Sequence, residues 1–312
     1  MRSEPPGPGP VWAHRLAVAL CVATLVLILF GGLVTNTGAA LAVPDWPTTF
    51  GYNMFFFPPS KMVGGILYEH SHRLLGAAVG LLTIALTATL WVSERRLWLR
   101  WLGVTAVIAV SVQGVLGGLR VVLVQDVIAI VHGALAQAFF GLAVCLALCT
   151  SREWAAPAAP ASSADAIRLR RLALLTTGVV YLQIVFGAFL THLGKWLDGH
   201  LLGAAALALL VPALARRLRN GHAGPALRRP AQALVGLLLL QLLLGLGAYL
   251  ARYAGMSLSL TPSAALMFPV MHRLTGGLLL AASLVLTLRA HRLLAPSQSR
   301  KVRHFLSQEV PA

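Results

Sequence analysis

Eight stretches of the chain stay apolar for about the 20 residues a helix needs to cross a bilayer, near residues 14–35, 66–92, 99–120, 127–149, 170–191, 196–215, 231–251 and 265–290. A backbone in lipid must satisfy its own hydrogen bonds, so such a chain folds as a bundle of membrane helices or not at all. Composition agrees: 58% of the residues are hydrophobic and 11% charged, against roughly 25% charged in soluble domains. The first stretch has no small-residue cleavage site after it, and reads as a retained span and not as a signal peptide. The expected fold class is all-α, an integral membrane protein of eight transmembrane helices.

A net charge of +16 would point to nucleic acid in a soluble protein, but here the cations are sorted by side. Nineteen lie at the N-terminus (Arg2, Arg15), in alternate loops (Arg95 to Arg100, Arg152 to Arg171, Arg216 to Arg229) or in the tail (Arg289 to Arg303). The other six lie on the opposite side. By the positive-inside rule both termini are cytoplasmic, and no nucleic-acid partner is needed to explain the charge. The N-terminus lacks an Arg/Ser-rich transit composition, which favours a bacterial plasma membrane. Cys21, Cys145 and Cys149 fall in apolar runs and read as small hydrophobes, with no disulfide.

An Ala/Pro/Ser stretch at 155–164 divides the chain into two four-helix halves: residues 1–154, with an outer loop at 36–65, and residues 170–292, joined by a linker at 155–169 and followed by a tail at 293–312. The halves look duplicated. Gln113-x3-Gly117 recurs as Gln241-x3-Gly245, His72 as His200, and Gly31-Gly-Leu-Val-Thr35 as Gly187-Ala-Phe-Leu-Thr191. Four spans is an even number, so the repeats run parallel, as two pseudo-symmetric four-helix bundles about an axis along the membrane normal.

Histidine carries the chemistry. His14, His222, His291 and His304 sit among arginines at the cytoplasmic margin and read as solvated. His72, His132, His200 and His272 each fall near the outer end of an even-numbered span, four imidazoles at one depth, while His192 at the end of the fifth span is left unassigned. Ionisable groups inside spans are costly, and two per half suit a haem held axially from opposite sides in a bundle interior. Glycines at Gly76, Gly133, Gly203 and Gly276 would let a flat macrocycle approach the backbone. Two imidazoles without cysteine or a second carboxylate are too few for a closed zinc or copper site.

Glu69 and His72 share a helix face, whereas His70 points elsewhere. Glu69 is the only carboxylate well inside a span, which excludes a di-iron site and leaves an acid/base or cation-stabilising group, or simply a partner for Arg73. Arg73, Arg120 and Arg273 lie on the outer side and suit carboxylate groups such as haem propionates, or else snorkel to the interface. The loop at 36–65, with Pro44-Asp-Trp-Pro47 and Phe55-Phe-Phe57, covers the N-terminal site or rests on the membrane.

Taken together, Gly31-Gly-Leu-Val-Thr35, Thr37-Gly38, Leu41-Ala-Val-Pro-Asp-Trp-Pro47, Glu69-x-x-His72-Arg73, Gln113-Gly-Val-Leu-Gly-Gly118, His132, His200 and His272-Arg273 resemble the haem A synthase family, CtaA/Cox15. The resemblance implies two pseudo-symmetric four-helix bundles and oxidation of the C8 methyl of haem O to a formyl group, giving haem A for terminal oxidases. It implies that His72 and His132 flank the substrate haem, that His200 and His272 hold a haem b cofactor, and that Glu69 is the essential glutamate. Haem O synthase, the protohaem farnesyltransferase, is then an expected partner alongside the lipid bilayer; the electron acceptor stays unknown and a homo-oligomer is left open. Many bacterial members carry a cysteine pair in the first outer loop, and this loop has none, so no disulfide role transfers. The alternative reading is a bis-histidine dihaem electron-transfer cytochrome, which needs the same ligands but neither Glu69 nor an open substrate face.

Overall fold

The computed structural model describes residues 11–156, 161–163, 165–220, 224–253 and 260–296; Arg2, His222, His304 and the cations of the far tail lie outside the described residues. Eight helices are long and apolar enough to cross a membrane. These are α1 (Val11–Asn36), α2 (Gly65–Ser93), α3 (Leu97–Leu123), α4 (Asp126–Thr150), α6 (Ala166–Leu193), α7 (Leu197–Asn220), α8 (Pro225–Tyr253) and α9 (Pro262–Leu293), with a single-turn α5 (Arg152–Ala155) between α4 and α6. Each expected span is present and extends a few residues beyond its apolar run. Helices continue into the interface wherever capping or tertiary bonds satisfy the last turn, as Asn36 does by donating to the Gly32 carbonyl at 2.8 Å.

Short connections set neighbours. The α2–α3 turn is held by Arg96, which donates to both oxygens of Glu94, 2.9 and 2.8 Å. Burial works against the Glu94 charge, and the guanidinium outweighs it, keeping the carboxyl below its usual range. Helices α1 to α4 pack as a closed ring in which α1 meets α2 and α4, and α3 meets the same two; α6 to α9 form a second ring of the same order. The rings join where α1 packs on α9 and where α4 packs on α6 and α9. Among the described residues the only strands are two of three residues, Ala161–Ser163 and Leu294–Pro296, paired in parallel so that the linker is stitched to the end of α9.

Each ring has an apolar core at one end: Leu20, Leu86, Leu90, Leu99 and Leu146 in the first, Val211, Leu214, Leu218, Leu234 and Leu286 in the second. The outward faces are apolar too, with Val92, Leu202 and Leu209 at least 74% exposed, as lipid-facing side chains should be. Lipid supplies no hydrophobic drive between helices, so close contact through small residues carries the packing. Gly247 on α8 illustrates this, because a methyl group built there would stand 2.4 Å from Cδ1 of Phe268 on α9. His14 belongs to this inner packing and not to a solvated margin, its Nδ1 lying 3.1 Å from the Ala147 carbonyl of α4. Replacing Gly247 by Val is expected to part α8 from α9 and cost about 1–3 kcal/mol; a thermal unfolding curve in detergent identical to that of the unaltered protein would contradict this.

Candidate functional site

At the end of the bundle away from the cores, one structural unit occurs four times. An imidazole on an even-placed helix lies on a glycine of the helix before it. A methyl group built on Gly31, Gly117, Gly187 or Gly245 would stand 3.1, 3.3, 3.5 or 2.9 Å from Cε1 of His72, His132, His200 or His272. In every case the backbone carbonyl nearest the imidazole's reach is the one four residues before that glycine: Leu27, Gln113, Gln183 and Gln241. For His272 the bond is formed, 3.1 Å from Nδ1 to the Gln241 oxygen; in the other three Nδ1 is buried and makes no hydrogen bond. An Nδ1–H held by a carbonyl puts the lone pair on Nε2, the tautomer a metal ligand needs, and in His272 that lone pair faces the Gln241 amide.

Gln183-x3-Gly187 completes a set of which sequence reading found only the pairs at Gln113 and Gln241. The fourth member breaks the rule, with Leu27 where the others have glutamine. The three amides tie helix to helix. Gln113 donates to the His132 carbonyl at 3.2 Å, Gln241 Nε2 lies 3.3 Å from His272 Nε2, and Gln183 lies across Gly203 so closely that a methyl there would be 1.8 Å from its nitrogen.

The rings differ accordingly. In the first, His72 and His132 face a cavity of about 400 Å³ whose walls include Gly76 and Gly133, where an added methyl group would meet nothing within 4 Å. In the second, the corresponding space holds the glutamine amides, and the rings of His200 and His272 are 6.0 Å apart between centroids. Two imidazoles bound trans to one metal, with bonds of about 2 Å and nitrogens about 1 Å from the ring centres, lie about 6 Å apart. In the first ring two half-buried imidazoles and a glycine-lined space fit haem; in the second the separation of the half-buried imidazoles fits, while Gln183 lies over Gly203. Among the described residues no group of three or more His, Cys, Asp or Glu that could hold a bare metal ion is present.

Glu69 lines the cavity at 3% exposure, with both oxygens engaged: Oε1 accepts from Arg73 Nη2 at 2.9 Å and Oε2 from the Val43 amide at 2.9 Å. Arg73 donates also to the carbonyls of Val43, Asp45 and Thr48, 2.7–3.0 Å, so its guanidinium is spent on the outer loop and on Glu69. The loop therefore covers the cavity. Trp46 lines it and packs on Gly118 of α3, where a methyl group would meet the indole at 2.3 Å. His70 faces the loop and not the cavity, with Nδ1 3.2 Å from the Thr49 hydroxyl and its ring 5.0 Å from Phe57.

The second ring supplies part of the first ring's cavity, which sequence reading did not foresee. Arg273 crosses from α9 to donate to Thr35 Oγ1 at 3.2 Å, and it lines the cavity with Arg120, His192, Ile184 and Ala188. His192, unassigned from sequence, aligns with Asn36 at the same offset that relates Gly187 to Gly31, so the repeat carried the signal. Arg73, Arg120 and Arg273 all line the cavity, and of these Arg73 is bonded to Glu69 and the outer loop.

Asp45 organises the loop by accepting from the Phe50 and Gly51 amides, 2.7 and 2.9 Å, and from the Thr48 hydroxyl. Slight burial works against its charge, but these donors outweigh it and lower its pKa to about 2. A carboxylate lowered in the folded state stabilises above its ordinary value of 3.8, and that support is lost as pH falls through about 2. Amide hydrogen exchange over residues 43–51 is expected to stay slow from pH 7 to 4 once corrected for intrinsic rates, and Asp45→Asn to speed it about tenfold; an unchanged rate would contradict the assignment. Arg73→Lys, which cannot span four acceptors, is expected to speed exchange at Val43 by at least as much.

Residues 57–199 match the family model of the cytochrome oxidase assembly proteins, COX15-CtaA. A 138-residue segment is 35% identical to a haem A synthase of Shouchella clausii (strain KSM-K16), an alignment spanning 42% of this chain and 44% of that relative. The matched segment carries Glu69, His72, Arg73, Gln113, Arg120 and His132 and ends just short of His200. The segment of the chain that is similar to the COX15-CtaA family, residues 57–199, holds most of the cavity's first-ring wall.

Proposed function

We propose that the protein is a haem A synthase, a multi-pass membrane oxidoreductase that converts haem O to haem A by oxidising the C8 methyl group to a formyl group. The observation that carries this reading is a buried carboxylate, Glu69, in the wall of a cavity that also presents two imidazoles, in one ring and with no counterpart among the described residues of the other. The two rings are read as the halves of a duplication, residues 1–154 and 170–292, with both termini cytoplasmic in a bacterial plasma membrane.

In this reading His72 and His132 hold the iron of the substrate, haem O, while His200 and His272 hold a resident haem b, which supplies one-electron transfer when bound. Arg120, Arg273 and His192, which line the cavity from both rings, bind the carboxylate edge. Two successive hydroxylations, each a two-electron oxidation whose electrons pass to an external acceptor, take the methyl group through the alcohol to a geminal diol, which loses water to leave the aldehyde. The chain's own contribution is placement and proton handling. Glu69 lines the cavity with its oxygens held by Arg73 and the Val43 amide, and its carboxylate either stabilises positive charge developing at the methyl carbon or accepts a proton from attacking water. The closed loop, with Trp46 over Gly118, keeps bulk water from the cavity. A two-haem electron carrier would use the same imidazoles but has no use for an open cavity beside a buried carboxylate.

Expression with and without a haem O synthase, followed by extraction and mass identification of the haems, tests the activity. Haem A is expected only when haem O is supplied; haem O that binds and is never converted would sink the proposal. Glu69→Ala and Glu69→Gln are each expected to lower conversion at least a hundredfold with haem still bound.

A further inference from the structure

Resting on the reading of the first-ring cavity as the place where haem O is oxidised, we infer that His192 is the group through which that cavity loses protons to the outer side. The proposed reaction creates the need. Each hydroxylation consumes one water, replaces a C–H bond by C–OH and releases two electrons and two protons; loss of water from the geminal diol releases neither. The electrons go to the external acceptor. The protons are left in a cavity that a loop covers, and they have to cross its wall.

The wall offers few carriers. Arginine does not give up its proton, and His72 and His132 are read as iron ligands, so among the described residues Glu69 and His192 remain of the titratable side chains that line the cavity. Glu69 can collect a proton but has no acceptor to pass it to through the loop, because its neighbours there are donors, Arg73 on Oε1 and the Val43 amide on Oε2. Toward the inner end stands the first-ring core of Leu20, Leu86, Leu90 and Leu146, which carries no proton.

His192 has the placement that Glu69 lacks. It lines the same cavity, in which the water that the reaction consumes can link it to Glu69, and the residues directly after it, Leu193 to Trp196, are exposed. An imidazole can accept a proton at one nitrogen and release one from the other. The charged groups that act on this imidazole are Arg120 of α3, Asp126 of α4, Arg252 of α8 and Arg273 of α9. Of these only Asp126 exchanges protons, and it is exposed in the first turn of α4. The end of α6 is held in this position from α8, where Arg252 donates to the Thr191 carbonyl at 3.2 Å.

The repeat supplies an independent observation. Asn36 stands in the first ring where His192 stands in the second, and it spends its amide on the Gly32 carbonyl at 2.8 Å. The titratable member of the pair is therefore on α6, the helix end that reaches the cavity with the buried carboxylate.

The test gives haem O to membranes from a host that makes haem B but no haem O, in H2O and in D2O. Binding is read from the Soret absorbance and conversion from the haem A extracted. His192→Gln and His192→Asn keep a hydrogen-bonding side chain that carries no proton. Each is expected to bind haem O as before, to convert it about tenfold or more slowly, and to show a larger solvent deuterium isotope effect than the unaltered protein. The resident-haem spectrum reports that each variant has folded. Conversion at the unaltered rate by either folded variant would overturn the inference. Slower conversion with an unchanged isotope effect, or in proportion to lost haem O binding, would overturn it too, by leaving His192 a structural or binding residue only. Unaltered protein that binds haem O and never converts it would instead sink the proposed activity, and the inference with it.

Discussion

The contact of an imidazole with a glycine on the preceding helix is the interaction on which this architecture rests. It needs no side chain on one partner, so the two helices approach closely, and it brings Nδ1 of the histidine to the backbone carbonyl one turn earlier. Helices in lipid gain little from burying apolar surface against each other, so contacts of this kind decide which helices pair. Repeated at His72, His132, His200 and His272, the unit pairs α1 with α2, α3 with α4, α6 with α7 and α8 with α9.

On that common frame the two rings diverge through few residues. Glutamine amides occupy the second ring beside its imidazoles, whereas the first ring keeps an open cavity, a buried carboxylate and a covering loop. Glu69, Arg73 and the segment from Val43 to Thr48 form one hydrogen-bonded assembly, so the carboxylate and the cover are held by the same bonds. The join between rings is functional surface as well, since Arg273 and His192 reach the first ring's cavity from the second.

Much of this was legible in the sequence because membrane helices announce themselves by length and hydropathy, and because a polar residue in a span is conspicuous. The eight spans, the four histidines, Glu69 and the separate facing of His70 were all readable from spacing. What was not readable depends on which helices touch across the join. Arg273 looked like a second-ring residue because it follows His272, yet the packing of α9 on α1 carries its guanidinium to Thr35. Arg73 looked free to bind a carboxylate, and the loop fold claims its donors through backbone carbonyls, which a sequence does not display. The exception at Leu27 was in plain view but had no meaning until Gln183 was seen to occupy the same place in the second ring.

The central claim, that the second ring holds a resident haem and the first an exchangeable one, is tested most directly by protein produced in a host that makes haem B but no haem O. Haem content and the low-spin bis-imidazole signal in electron paramagnetic resonance would be compared for His200→Ala and His272→Ala against His72→Ala and His132→Ala. The account predicts that the first pair of variants loses the tightly held haem and that the second pair keeps it. Loss of that haem in His72→Ala and His132→Ala, with retention in His200→Ala and His272→Ala, would contradict it.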